Sequence, residues 1–418
     1  MKHSSGSTHD VLVVGGGPAG AAAAYWLAAS GWDVLVVEKK HFPREKTCGD
    51  GLTPRSVRQL EDMGLAADLE GKHRFEGLRT MAFGRQMLLQ WPATPDFGRH
   101  GYVITRAELD AMVAGRAEKA GATVWQECEA LAPLRGDPGE PCGGAVIRKK
   151  GGERVEVAAR YVVVADGANS RFGRALGANR DKSLPLGMAI RGYFNSPRHD
   201  EPWIESHLDI RDKAGNVVPG YGWIFPMGDG RVNVGVGLLS TFEQWKSVNT
   251  SYLMDAFVSF APRSWGISPE TACGPATGGR LPMSLSVGPH SGPDWLLAGD
   301  AGGSINPFNG EGIAYAYETG RIAAATVGEA LARGDEAGPD PLAAYDRRLE
   351  ETYGLYYKVA SSFVSLIGKP RLMRALVGTG MHSTPVMEWV LRVMANLMRP
   401  DELGPAEAAY KIAARLVG

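Results

Sequence analysis

The chain is poor in several features that would define a protein quickly. Its 418 residues include only four cysteines, Cys48, Cys128, Cys142 and Cys273, at spacings that make neither a disulfide framework nor a zinc site. Neither sign of charge dominates. With 45 basic and 46 acidic residues the net charge is −1, which gives no global attraction to nucleic acid or to an anionic membrane. No apolar run reaches the roughly 20 residues needed to span a bilayer. The polar start MKHSSGSTHD lacks the apolar stretch of a signal peptide. Internal repeats and long low-complexity linkers are absent as well. These absences predict a soluble, cytoplasmic chain with no metal centre and no nucleic-acid partner, long enough for more than one domain.

What is present starts with a short apolar run, residues 11–14, that ends in Gly15-Gly16-Gly17-Pro18-Ala19-Gly20. An alanine-rich helical segment follows, and a second strand ends at Glu38, giving strand, glycine turn, helix, strand. Gly15 permits the tight turn, Gly17 lets a diphosphate approach the backbone, and Gly20 lets helix and strand pack closely. The helix start, with Ala19 in its first turn, offers free N–H groups to phosphate. A carboxylate at the position of Glu38 can accept both hydroxyls of an adenosine ribose, and it disfavours a 2′-phosphate.

Two later strand ends carry the chemistry further. One closes in Ala165-Asp166-Gly167, the other in Ala298-Gly299-Asp300-Ala301, followed by Gly310-Glu311-Gly312-Ile313. Asp300 can hydrogen-bond a ribityl hydroxyl. The glycine-rich helix start at Gly312 and Ile313 can face the negative charge a reduced flavin carries near its pyrimidine ring. Asp166 is better placed to order its own loop. Together these segments favour FAD over NAD.

Between the motifs, residues 105–120 pattern as a helix with Thr105 as N-cap, and residues 185–285 as short antiparallel strands. Residues 341–418 are almost all helical in pattern. The expected fold is α/β (α+β overall). A Rossmann-type three-layer FAD-binding domain is predicted from 9–75, 100–184 and 286–335, and an antiparallel-sheet substrate domain from 76–99 and 185–285. A helical region, 336–418, completes it.

On these motifs the first 330 or so residues resemble the FAD-dependent oxidoreductases built like para-hydroxybenzoate hydroxylase. The resemblance implies that Arg106 reaches the flavin diphosphate or ribityl chain, where the sequence alone would allow a surface arginine at a helix start. It also implies that backbone around Glu129-Ala130 contacts adenine. Phe42-Pro43-Arg44-x-Lys46-x-Cys48-Gly49-Asp50-Gly51 and Tyr221-Gly222-Trp223-Ile224-Phe225-Pro226 narrow the likeness. With them nearly the whole chain resembles the geranylgeranyl reductase family, in particular its actinobacterial branch acting on menaquinone.

That likeness implies saturation of an isoprene double bond by hydride from reduced flavin, on an apolar prenylated substrate. Cys48 and Gly49 would lie against the flavin, where the thiol either orients the alkene, relays a proton or is inert filler. Arg44 and Lys46 offset negative charge or are solvated. Tyr221, Trp223 and Phe225 alternate, so in a strand they share one face. They form either an aromatic wall for ring and prenyl chain, with the tyrosine hydroxyl left as a polar handle, or ordinary sheet core. The proton donor stays open among Cys48, Tyr221 and water, with Asp50 behind them.

Met387, Val390, Leu391, Met394 and Met398 recur at helical spacing. They make either packing for the FAD domain or a wall of a lipid channel touching the inner face of the cell membrane. No second glycine fingerprint marks a nicotinamide domain, so NAD(P)H, ferredoxin or a separate reductase could supply electrons. A flavin-dependent tailoring enzyme, monooxygenase or halogenase, shares the glycine, DG and GD segments. Halogenases show W-x-W-x-I-P where this chain has Tyr221 to Pro226. A non-catalytic flavin or lipid carrier is a third class.

Overall fold

In a computed structural model, the structure describes residues 8–135, 140–218, 220–242, 245–334, 338, 340–367 and, with short gaps, 374–398. The stretch from Arg399 onward, part of the predicted helical region, lies outside them.

Two seven-stranded sheets organise the chain. In the first, Thr8–Val14 pairs in parallel with Val34–Glu38 on one side and with Arg154–Val164 on the other. Thr123–Gln126 extends it beyond Val34–Glu38, and Trp295–Leu297 runs parallel to Arg154–Val164. The central strands are buried on both faces, which is why they are continuous runs of Val and Leu. The apolar run at 161–164 is only the second half of its strand. The first half, from Arg154, pairs antiparallel with Gly144–Arg148, which in turn pairs with Glu129–Pro133. One strand thus joins a parallel nucleotide-type sheet to an antiparallel hairpin.

Helices Pro18–Ala29 and Ile313–Arg333 pack against each other beside this sheet. Their approach is close because both carry small residues at the contact: a Cβ on Gly320 would sit 2.3 Å from the Ala19 carbonyl oxygen. Helix Arg106–Lys119 is capped as expected, Thr105 accepting the Glu108 N–H at 3.3 Å.

The second sheet runs Thr277–Pro282, Leu186–Asn195, Arg231–Leu239, Gly220–Pro226, Trp203–His207, Gly77–Ala82, Arg85–Gln90. It is antiparallel except between Trp203–His207 and Gly77–Ala82, which run parallel, so the expected all-antiparallel sheet is a mixed one. Residues 77–90 join it because that parallel pairing bridges more than 100 residues of sequence, a pairing that local alternation does not reveal. One face packs on helix Thr250–Phe260, and the other looks toward the first sheet.

Helices Ala344–Leu349 and Leu355–Ile367 lie on helix Ile313–Arg333 through buried tyrosines. Tyr345 and Tyr357 donate to the carbonyls of Leu297 and Ser304 at 2.8 and 2.5 Å. Helix Thr384–Met394 packs instead against the far strands of the second sheet.

Candidate active site

The two sheets enclose one continuous cavity of about 1200 Å³. It is lined by Glu38 and Ala130, by Gly15, Gly17, Arg44, Cys48, Gly49, Arg106, Asp300, Gly312 and Ile313, and by Tyr221, Trp223 and Phe225. Met387, Val390, Leu391 and Met394 line its far wall. The fold therefore brings nearly all of the expected residues to one space. Ala19 lines it too, whereas Gly20 stands behind the turn: a Cβ there would fall 1.9 Å from the Gly15 carbonyl oxygen.

At the nucleotide end Gly15 adopts φ +102°, the left-handed region that glycine tolerates. Gly17 forms the helix N-cap without any side-chain cap, so the first amides of the helix point at the cavity unused. Glu38 accepts the Gly16 and Lys40 amides, both at 3.0 Å. Arg44 bridges Glu38 and Asp110, its Nε 3.3 Å from one carboxylate and its Nη1 2.9 Å from the other. Its Nη2 is 3.6 Å from where a Cβ on Gly17 would stand, so a cation lies over the turn that would take a diphosphate.

Arg106 is not a surface arginine. It is buried and donates through Nε and Nη2 to Asp110 at 2.7 and 2.8 Å. Both guanidinium groups are held by carboxylates, Arg106 by Asp110 and Arg44 by Glu38 and Asp110, and it is Arg44 that lies against Gly17 of the glycine turn. Asp110 was not foreseen, although it sits four residues after Arg106 on a helix, the spacing at which two side chains meet.

The cysteine turn is held from the second sheet. The Cys48 carbonyl accepts from Arg191 Nε at 3.1 Å and from Asn233 Nδ2 at 2.9 Å. Asp50 has φ +63° and is fully buried. Its carboxylate accepts the Tyr193 hydroxyl at 2.6 Å, Asn233 Nδ2 at 2.9 Å and the Arg106 amide at 3.2 Å. Burial pushes the Asp50 carboxyl up, opposed by the Tyr193 hydroxyl and the Arg191 charge. With its oxygens engaged in this network, Asp50 is a brace and not a free proton donor. Burial, reinforced by the charge of Asp50, raises the Cys48 thiol above its ordinary value, and the Asp50 amide points at the sulfur at 3.4 Å. Both effects favour the protonated form of this thiol at the cavity wall.

Tyr221, Trp223 and Phe225 do share a face. Opposite them in the neighbouring strand stand Gly237, Gly235 and Asn233. The missing side chains make room for the rings, since a Cβ on Gly235 would meet the Trp223 indole at 2.2 Å and one on Gly237 would meet Tyr221 at 3.2 Å. Trp223 Nε1 donates to Asn233 Oδ1 at 2.9 Å. Phe225 covers the glycine turn, 3.0 Å from a Cβ on Gly51. The Tyr221 hydroxyl is not left free. It donates to the Asn309 carbonyl at 2.8 Å, and burial raises its pKa.

Near the helix start at Gly312, Asp300 lines the cavity with its carboxyl raised by burial, against the charges of Lys46 and Arg106. Its Oδ1 lies 3.4 Å from where a Cβ on Gly312 would be, which places the carboxylate beside that helix start. Asp166 accepts the amides of Arg171 and Phe172 at 3.0 and 3.3 Å, ordering its own loop as anticipated.

A glycine turn with open amides, a ribose-type acid, an arginine over the turn and an aspartate at a second parallel strand end fit FAD. Fold and site together are those of an FAD-dependent oxidoreductase, and FAD is its cofactor. A family model described as an FAD binding domain matches residues 8–222. The menaquinone reductase of Mycolicibacterium smegmatis is 39% identical over 393 residues, covering 94% of this chain and 93% of that protein. Among solved structures, a geranylgeranyl bacteriochlorophyll reductase-like protein from Thermoplasma acidophilum superposes with a TM-score of 0.77 at 25% identity, covering 97% of this chain and 99% of the other. A flavin-dependent brominase shares the fold alone, with a TM-score of 0.74 at 20% identity over 98% of this chain and 99% of that one. The chain belongs to the geranylgeranyl reductase family of FAD-dependent oxidoreductases.

Proposed function

We propose that the protein saturates an isoprene C=C bond in a long prenyl chain, with the menaquinone side chain as substrate. The observation that carries this reading is the continuity of the cavity from the glycine turn, under the Tyr221–Trp223–Phe225 face, to the apolar wall of helix Thr384–Met394. A small polar substrate would need no such extension.

Bound FAD, once reduced, supplies the hydride for one alkene carbon. The chain's own residues do the rest. Arg44 and the open amides after Gly17 hold the diphosphate, Glu38 holds the ribose, and Asp300 holds the ribityl chain. Trp223 and Phe225 press the alkene into one plane and exclude water, so that hydride and proton arrive together at an unactivated double bond. Cys48 is the proton donor to the second carbon. Its raised pKa keeps it protonated at neutral pH, and its turn is pinned by Arg191 and Asn233.

A prenyl chain leaves a bilayer to enter this cavity, so apolar burial by itself gains little over lipid. Selectivity rests on shape, which the adaptable Met387 and Met394 can supply. Among the described residues no helix is long and apolar enough to cross a membrane, so access to such a substrate implies reversible contact with the membrane surface. Electrons come from NAD(P)H, ferredoxin or a separate reductase.

The reading is tested by incubating dithionite-reduced enzyme without oxygen with menaquinones and prenyl diphosphates, followed by mass spectrometry. A gain of two hydrogens in the menaquinone side chain supports it. No gain in either class overturns it, and a modification that appears only with oxygen assigns the site to hydroxylation or halogenation.

A further inference from the structure

Glu311 is a buried carboxyl for which the hydride step has no use. It lies in Gly310-Glu311-Gly312, directly before the N-terminus of helix Ile313–Arg333, and it lines the cavity. Its Oε1 accepts the hydroxyls of Thr53 and Ser56 at 2.5 and 3.0 Å, and its Oε2 is buried without a partner. Thr53 and Ser56 begin the helix that follows the cysteine turn, so Glu311 joins the two walls of the flavin pocket.

Among the described residues no cation pairs with it. Arg55, on the helix that carries Ser56, pairs with Glu318 at 2.7 Å and adds only a distant attraction. Glu318 and Tyr315, on the helix that Glu311 precedes, add a repelling charge and a hydroxyl already engaged with Asn306. A carboxylate with two neutral donors on one oxygen and none on the other is poorly compensated. Burial accordingly pushes its pKa up to about 7, against the Thr53 and Ser56 hydrogen bonds. Such a group sits at the balance point of its two charge states, and a new negative charge nearby tips it toward the neutral form.

We propose that Glu311 is the proton store of the reduction, protonated when the adjacent flavin gains negative charge and deprotonated when that charge is lost. The inference rests on FAD acting as the redox cofactor and deepens the function proposed above. The balance closes: two electrons from an external reductant enter with two protons, one going to the flavin and one to Glu311. Saturation then consumes the hydride and the Cys48 proton, which Glu311 replaces, restoring oxidised flavin, the Cys48 thiol and the Glu311 carboxylate. Storing the proton inside the protein keeps the charge of the site constant through the cycle and removes the need for water beside the alkene.

The test uses the FAD-loaded enzyme without any prenyl substrate, so that failure of the substrate assignment leaves it unaffected. The midpoint potential is measured by spectroelectrochemistry between pH 6 and 8. The wild type is expected to take up two protons per two electrons over part of this range, and E311Q one throughout. Identical slopes in the two proteins overturn the proposal. The double variant T53V/S56A retains the carboxyl but removes the donors that favour its charged form. It is expected to move the two-proton window to higher pH, which keeps the proposal testable should E311Q lose FAD. An unmoved window counts against it.

Discussion

The indole of Trp223 lies across the backbone of Gly235, which leaves no room for a side chain: a Cβ there would stand 2.2 Å from the ring. At the next pair along, Tyr221 over Gly237, the same distance is 3.2 Å. The two strands are in register, so the two glycines stand two residues apart in RVNVGVGLL.

Substituting the two glycines should therefore give unequal results. Gly235→Ala overpacks the wall, at a cost of about 1–3 kcal/mol, and turns Trp223 out of its hydrogen bond to Asn233. Thermal denaturation of the FAD-loaded protein should show the loss. Alkene saturation in a single turnover should fall at least tenfold while FAD stays bound. Gly237→Ala should be milder on both counts, and equal effects would contradict the geometry.

The cysteines should differ in reactivity. Alkylation requires thiolate. Cys273 is exposed, whereas burial raises Cys48 and pushes Cys142 up to about 12, each with a nearby carboxylate adding to the effect. At pH 8, iodoacetamide followed by peptide mass spectrometry should label Cys273 well before Cys48, Cys128 or Cys142. Early labelling of Cys48 would mean a thiolate at the cavity wall and would remove its proposed role as proton donor.

Helix Thr384–Met394 should set chain-length preference. Val390→Phe adds bulk where helix Thr384–Met394 lines the cavity. Competition between short and long prenyl substrates should show kcat/KM for the long chain reduced about tenfold, roughly 1.4 kcal/mol, with the short chain little changed. Removing everything after residue 340 is not an equivalent experiment. The buried Tyr345, Tyr353 and Tyr357 are core for helix Ile313–Arg333, so that deletion should unfold the FAD domain as well.

Glu311 also predicts how stability depends on pH. Its carboxyl titrates near about 4.3 in an unfolded chain and at about 7 in the folded one. The folded state holds the proton more tightly, so its contribution is full at low pH and declines as pH rises through 7. Urea denaturation should show E311Q gaining on the wild type between pH 5 and pH 8, by up to about 3 kcal/mol. A constant difference across that range would mean that Glu311 is already ionised in the native protein.

Much of this arrangement was legible in the sequence because the cofactor's chemistry imposes local rules. The turn at Gly15–Gly20, the acid at Glu38, the strand end at Asp300 and the helix from Ile313 each declare themselves within about 20 residues. The alternation of Tyr221, Trp223 and Phe225 gave their common face for the same reason. Partnerships across the fold were not legible. Asp50 meets Tyr193 and Asn233 only after a sheet of residues 186–239 closes over the cysteine turn, and nothing local to Asp50 marks that encounter. The Tyr221 hydroxyl was expected to be free for the same reason, its acceptor lying 88 residues away in Asn309. Asp110 is within reach of Arg106 by helical spacing, but that spacing does not tell an arginine that pairs along its own helix from one that reaches a ligand.

Asn309 has a last consequence. Its carbonyl takes Tyr221, its side-chain oxygen takes the Glu311 amide at 2.9 Å, and its side-chain nitrogen donates to the Met394 carbonyl at 3.2 Å. Asn306 and Arg55 grip the same helix end through Met394 and Asn396. The helix that lines the far end of the cavity is thus knotted to the loop 306–311. Tails grafted between relatives to alter chain length should carry residues 306–311 and keep Arg55, because a foreign tail would otherwise find these three anchors aimed at the wrong carbonyls.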